Sequence, residues 1–105
     1  MANIGQFLTD RLHRAGIRHG YGVPGDYVLP LYKHFQNSAI EMVGTTNELC
    51  AGYAADAYAR VNGIGLAVVT YCVGGFSILN AIAQAEAEKS PVVLIAGSPG
   101  LKERQ

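Results

Sequence analysis

Charge is what this 105-residue chain has least of: only 15% of its residues are Asp, Glu, Lys or Arg, against about a quarter in an average domain, while half are apolar. So little charge on so short a chain implies surface meant to be covered by more protein. The net charge is zero with no Lys/Arg cluster, which leaves no footprint for nucleic acid or an anionic membrane. No apolar run approaches the ~18 residues of a membrane span. The first residues, Met1-Ala-Asn-Ile-Gly-Gln-Phe7, lack the charged and apolar regions of a signal peptide. Cys50 and Cys72 make no metal or redox spacing, and a reduced, cytoplasmic protein is the expectation. His13, His19 and His34 are not at ligand spacing either, so surface or packing roles are expected for them.

What is present alternates between helix and strand. Ile4, Phe7, Leu8, Leu12 and Ala15 recur at helical spacing, opposite Asp10, Arg11 and Arg14. A short strand is predicted over Ile17–Val23. Pro24-Gly25-Asp26 then reads as a turn whose Asp caps a helix over Tyr27–Phe35, with Pro30 in the first turn, where a missing N–H costs nothing. A strand over Ile40–Val43 leads to a helix from Glu48 to about Val61, closed by Asn62-Gly63. Ile64–Tyr71 is continuously apolar, as in a strand buried on both faces. Gly74-Gly75 opens a helix over Phe76–Glu88, and Pro91–Ala96 is a fourth strand. The pattern predicts an α/β fold: a doubly wound parallel sheet flanked by helices.

Two of the helices lack a polar face. Residues 47–61 are rich in alanine, with Asp56 and Arg60 as the only charges past the first turn, placed i, i+4 in the favourable order. Helix 76–88 is apolar all round until Gln84 and Glu86. Helices of this kind are buried, and a subunit or domain interface is the expectation for both.

Thr45-x-x-Glu48 has the form of a capping box, which by itself accounts for the acid. Yet Glu48 also lies where a strand's carboxyl end meets a helix, the edge at which open α/β sheets bind ligands. Pro24-Gly25-Asp26, Tyr71-Cys72-Val73-Gly74 and Gly97-Ser98 share that edge. A carboxylate in apolar surroundings there would tend to share or hold a proton. Gly20-x-Gly22-x-x-Gly25 matches a dinucleotide fingerprint and keeps a Rossmann-type nucleotide binder in view. Its first two glycines, however, fall inside the predicted strand, and Pro24 removes an N–H from the loop. No nucleophile–base pair is identifiable for either cysteine, so both are expected to be buried and apolar in role.

In order and spacing, four blocks resemble the N-terminal pyrimidine-binding domain of thiamine diphosphate-dependent 2-oxo acid decarboxylases. They are Gly22-Val-Pro-Gly-Asp-Tyr27, Thr46-Asn-Glu-Leu-Cys-Ala-Gly-Tyr-Ala-Ala-Asp-Ala-Tyr-Ala-Arg60, Val69-Thr-Tyr-Cys-Val-Gly-Gly-Phe-Ser-Ile-Leu-Asn80 and Ala87 to Gly100. The flavour is that of pyruvate, indolepyruvate and phenylpyruvate decarboxylases.

The resemblance implies that Glu48 activates the cofactor's aminopyrimidine for ylid formation, and that Asp26 is an active-site acid for proton transfers. It also implies that Pro24, Gly25, Thr70, Tyr71, Cys72 and Gly74 border the pyrimidine. A small 2-oxo acid substrate follows, with a homodimer or homotetramer through helices 47–61 and 76–88. Residues 1–105 would then be the pyrimidine-binding domain truncated before its last third, about four strands of an incomplete sheet. The Mg2+ ligands are expected in the missing diphosphate-binding domain, and the isolated chain is expected to be inactive. Two further readings are a related lyase such as an acetolactate synthase or benzoylformate decarboxylase, and a non-catalytic remnant that only dimerises.

Overall fold

The computed structural model describes residues 3–104; the extreme ends of the expected 1–105 unit lie outside the described residues. In chain order the elements are α1 (Ile4–Arg14), β1 (His19–Gly22), a 3-10 turn (Asp26–Val28), α2 (Leu29–Gln36), β2 (Glu41–Gly44), α3 (Glu48–Asn62), β3 (Gly65–Thr70), α4 (Val73–Ala87) and β4 (Val92–Gly97). The four strands form one parallel sheet in the order β2-β1-β3-β4.

β3 explains why both faces are covered. Its residues Leu66 to Val69 are all fully buried. Leu66 and Val68 join Leu12, Ile17, Val28, Phe35 and Ile40 in one core, whereas Ala67 and Val69 join Ala55 and Ile78 in another. Because strand side chains alternate between faces, this division puts α1 and α2 on one side of the sheet and α3 and α4 on the other. The expected doubly wound arrangement is present.

Several local expectations are corrected. The buried face of α1 is Thr9 and Leu12 with Leu8 partly covered, while Ile4 and Phe7 are exposed. Helical periodicity marked the right residue types, but in the structure α1 packs mainly against α2 and its first turn stays uncovered. Asp26 caps nothing: it begins the 3-10 turn, and α2 starts after Val28 with no side-chain cap. Gly74 and Gly75 lie inside the first turn of α4, whose N-cap is Cys72. Neither cysteine is buried.

The alanine-rich composition of α3 lets it sit close to α4, burying Ala51, Gly52, Ala55, Asp56 and Ala59. The Asp56 carboxylate accepts from Arg60 Nε and Nη2 at 3.1 and 3.2 Å and from Gln84 of α4 at 3.3 Å. Hydrogen bonding by Ser90, then by Arg60, holds its carboxyl below the ordinary carboxylate value. Gly63, at φ 98°, closes the helix as predicted. On the outward side, Val73, Phe76 and Leu79 of α4 remain exposed, so the apolar helices are not covered all round within the described residues.

Candidate functional site

The sheet order creates the site. Each β1 and β3 turn leads to a different face: the 3-10 turn and α2 follow β1, and α4 follows β3. A crevice opens at the carboxyl ends of two adjacent parallel strands whose connections diverge in this way. β1 and β3 are in register only through Tyr21–Ala67 and Gly22–Val68. At their parting the Tyr32 hydroxyl, from α2, donates to the Val68 carbonyl at 3.0 Å, and burial pushes its pKa up to about 12.

Glu48 is the first residue of α3, but it does not cap the helix. Asn47 occupies the N-cap, its side-chain oxygen accepting from Cys50 N–H at 2.9 Å. The Thr45 hydroxyl donates to the Asn47 carbonyl at 2.7 Å instead of taking a helix N–H. The capping box read from Thr45 and Glu48 is therefore replaced by a single Asn cap, a signal already legible in the preference of Asn for that position. The correction matters chemically. Relieved of the cap, the Glu48 carboxylate makes no hydrogen bond or ion pair among the described residues. It is partly exposed rather than enclosed in apolar surroundings.

Two glycines bring neighbouring segments up to it. A Cβ on Gly74 would lie 3.5 Å from Glu48 Oε1 and 3.2 Å from Thr70 Cγ2, and a Cβ on Gly25 would come within 2.8 Å of Thr70 Cβ. Thr70 thus links the Glu48–Gly74 side of the crevice to the Gly25–Asp26 side. Asp26 is exposed, and with Tyr27, Thr70, Tyr71, Cys72 and Val73 it lines a depression of about 330 Å3.

Cys72, at φ 58° and ψ −99°, holds a backbone conformation that side-chain-bearing residues rarely adopt, and such strain concentrates at functional turns. Of the residues named from sequence, Pro24 lines a different cavity, of about 490 Å3, with Tyr32, Phe35 and Met42, and Ser98 lines two others. Val73, from the edge segment 71–74, lines the depression too, and Tyr27 completes it without having been given a role, since a lone aromatic residue in a turn carries no sequence signal.

For a cofactor's aminopyrimidine the residues present are suitable. An unpartnered carboxylate stands at the carboxyl edge of the sheet, where Gly25 and Gly74 let their backbones pack closely against Thr70. Among the described residues, no group of three or more His, Cys, Asp or Glu side chains could hold a metal ion, and no helix is long and apolar enough to cross a membrane. The G-x-G-x-x-G match does not take up the nucleotide-binding arrangement: Gly20 and Gly22 lie inside β1, and a 3-10 turn follows Gly25.

Comparison with known proteins gives concordant results. A pyruvate decarboxylase of Aspergillus parasiticus is 51% identical over 96 residues, which are 91% of this chain and 17% of that protein. Pyruvate decarboxylase 2 of Oryza sativa subsp. japonica and pyruvate decarboxylase 1 of Arabidopsis thaliana are each 48% identical over 99 residues, 93% of this chain and 16% of theirs. The chain thus spans 16–17% of the length of these curated relatives. The family described as thiamine pyrophosphate enzyme, N-terminal TPP binding domain, matches residues 2–105. This chain belongs to that family.

Proposed function

We propose that residues 1–105 form the pyrimidine-binding part of a thiamine diphosphate-dependent, non-oxidative 2-oxo acid decarboxylase and are inactive on their own. One observation carries the reading: Glu48 stands at the carboxyl edge of the sheet, beside Gly74 and Thr70, with both carboxylate oxygens free of partners among the described residues. The names of the three relatives given above, each a pyruvate decarboxylase, support a small 2-oxo acid as substrate.

When bound, thiamine diphosphate supplies a carbon nucleophile and an electron sink for the departing CO2. The chain's own residues do the rest from fixed positions. Glu48 exchanges a proton with a ring nitrogen of the aminopyrimidine, at an oxygen no other side chain occupies. Gly25, Gly74 and the 70–72 backbone let the planar ring approach, and Asp26, across Thr70, moves protons at the substrate end. The diphosphate and Mg2+ would be held by a separate domain. The bare Val73, Phe76 and Leu79 support a homodimer or homotetramer through the outer side of α3 and α4, which would also exclude water from Glu48.

The test is made in the complete enzyme that carries this sequence. Glu48→Gln should abolish exchange of the cofactor's C2 proton, followed by NMR, while leaving the fold and cofactor binding in place. Exchange at the wild-type rate would overturn the role assigned to Glu48.

A further inference from the structure

Beside the crevice stands an aromatic pair that the role of Glu48 leaves unused. Tyr27, from the 3-10 turn, and Tyr71, from the end of β3, meet edge to face with ring centroids 5.3 Å apart and planes at 78°. Both rings remain exposed, at 46% and 40%. Their backbones are tied to the same residue. Tyr71 N–H donates to the Gly97 carbonyl at 2.8 Å, and the Tyr27 carbonyl lies where a side chain on Gly97 would have to sit. The pair is thereby anchored to the end of β4 and edge-to-face packing fixes one ring against the other.

Three cavities meet at these rings. The depression of about 330 Å3 that holds Asp26, Thr70, Cys72 and Val73 is bounded by both tyrosines. Tyr27 also bounds a second, of about 450 Å3, with Pro30, Ser98 and Glu103. Tyr71 also bounds a third, of about 340 Å3, with Ser98, Pro99 and Arg104. The rings are thus a partition. On one side lies the depression that Asp26, Thr70 and Cys72 line; on the other lies the space around the loop after β4.

Building on the decarboxylase reading, we infer that Tyr27 and Tyr71 are specificity-determining residues: their rings form the wall that limits the size of the substituent on a 2-oxo acid. The wall is made of rings and its hydroxyls are dispensable. Removing one ring merges the reactive depression with the neighbouring cavity, so a bulkier substituent gains room that a methyl group cannot use.

The test compares pyruvate with phenylpyruvate in the complete enzyme, through the ratio of their kcat/KM values. Tyr27→Ala should raise the phenylpyruvate-to-pyruvate ratio at least ~10-fold, within the range that apolar pocket contacts supply. Tyr27→Phe should leave the ratio within ~2-fold of wild type, because the ring stays. Thiamine diphosphate binding, followed by calorimetry, should stay within ~2-fold in Tyr27→Ala, a result that a general loosening of the site would not give. Should the alanine variant fail to fold, Tyr27→Leu replaces it, with an intermediate rise expected.

An unchanged ratio, or a ratio that moves only together with weakened cofactor binding, overturns the wall. Wild-type enzyme that turns over neither acid overturns the decarboxylase reading and the wall with it. Turnover with an unchanged ratio removes the wall alone.

Discussion

Gly52 sets the distance between α3 and α4, and a single methyl group there measures it. In an exposed helix interior, replacing Gly by Ala gains about 1 kcal/mol from backbone conformation alone. At Gly52 the added Cβ would lie 2.6 Å from Ala81 Cβ and 2.7 Å from Ile78 Cγ1. Ala81 is fully buried and has no rotamer to change, so the helices must part. Overpacking of this kind costs about 1–3 kcal/mol. The balance is a net loss of about 1 kcal/mol for Gly52→Ala, or a fall in Tm of about 4–8 °C in a domain of this size. Equilibrium urea denaturation reads it directly. Adding Ala81→Gly removes the closest contact, so the two changes should couple favourably by at least about 0.5 kcal/mol. If Gly52→Ala instead stabilises by the full propensity gain, the helices do not approach as described. The close α3–α4 packing beneath Glu48 would then be wrong.

Two further changes follow. Asn47→Ala should destabilise α3 by about 1 kcal/mol through loss of its cap, whereas Glu48→Ala should cost far less; equal losses in denaturation midpoints would restore the capping box. Asp56 tests the other end of the helix pair through pH. Its carboxyl is held below the ordinary value of 3.8 by Ser90 and then Arg60, so the unfolded chain takes up its proton first as pH falls. The stability it contributes is therefore complete above about pH 4 and lost below it. Midpoints measured from pH 7 down to about 2.5 should fall more steeply for wild type than for Asp56→Asn, and parallel curves would remove the carboxylate from the account.

Much of this was legible in the chain itself. The unbroken apolar run of Ile64–Tyr71 could only be a strand covered on both faces, and from it the doubly wound arrangement followed. The i, i+4 pairing of Asp56 and Arg60 was written in their spacing. The strand order was hidden, because β1 and β3 pair through only two residue pairs, and nothing local in either segment specifies its neighbour. The true cap was hidden for a different reason. Thr45 and Asn47 both suit an N-cap, and only the observed start of α3 at Glu48 decides between them. The exposure of Ile4 and Phe7 depended on what packs against α1, a tertiary fact that periodicity does not contain. At the site, the chain-wide resemblance pointed to Glu48 and Asp26, yet the ring pair beside them came from an encounter between two turns distant in sequence.

The contacts that assemble the crevice are nearly all non-local: Gly25 against Thr70, Gly74 against Glu48, Tyr27 against Tyr71. Closing such long loops costs entropy before any contact rewards it, which slows folding. Helix α3 can form early from its own alanines and its Asn cap, but the crevice beside it cannot exist until β3 has docked against β1. Until β3 has docked, Glu48 on its helix has nothing to face. Any lesion that delays the insertion of β3 would leave a chain rich in helix and empty of site, with its most apolar strand in water.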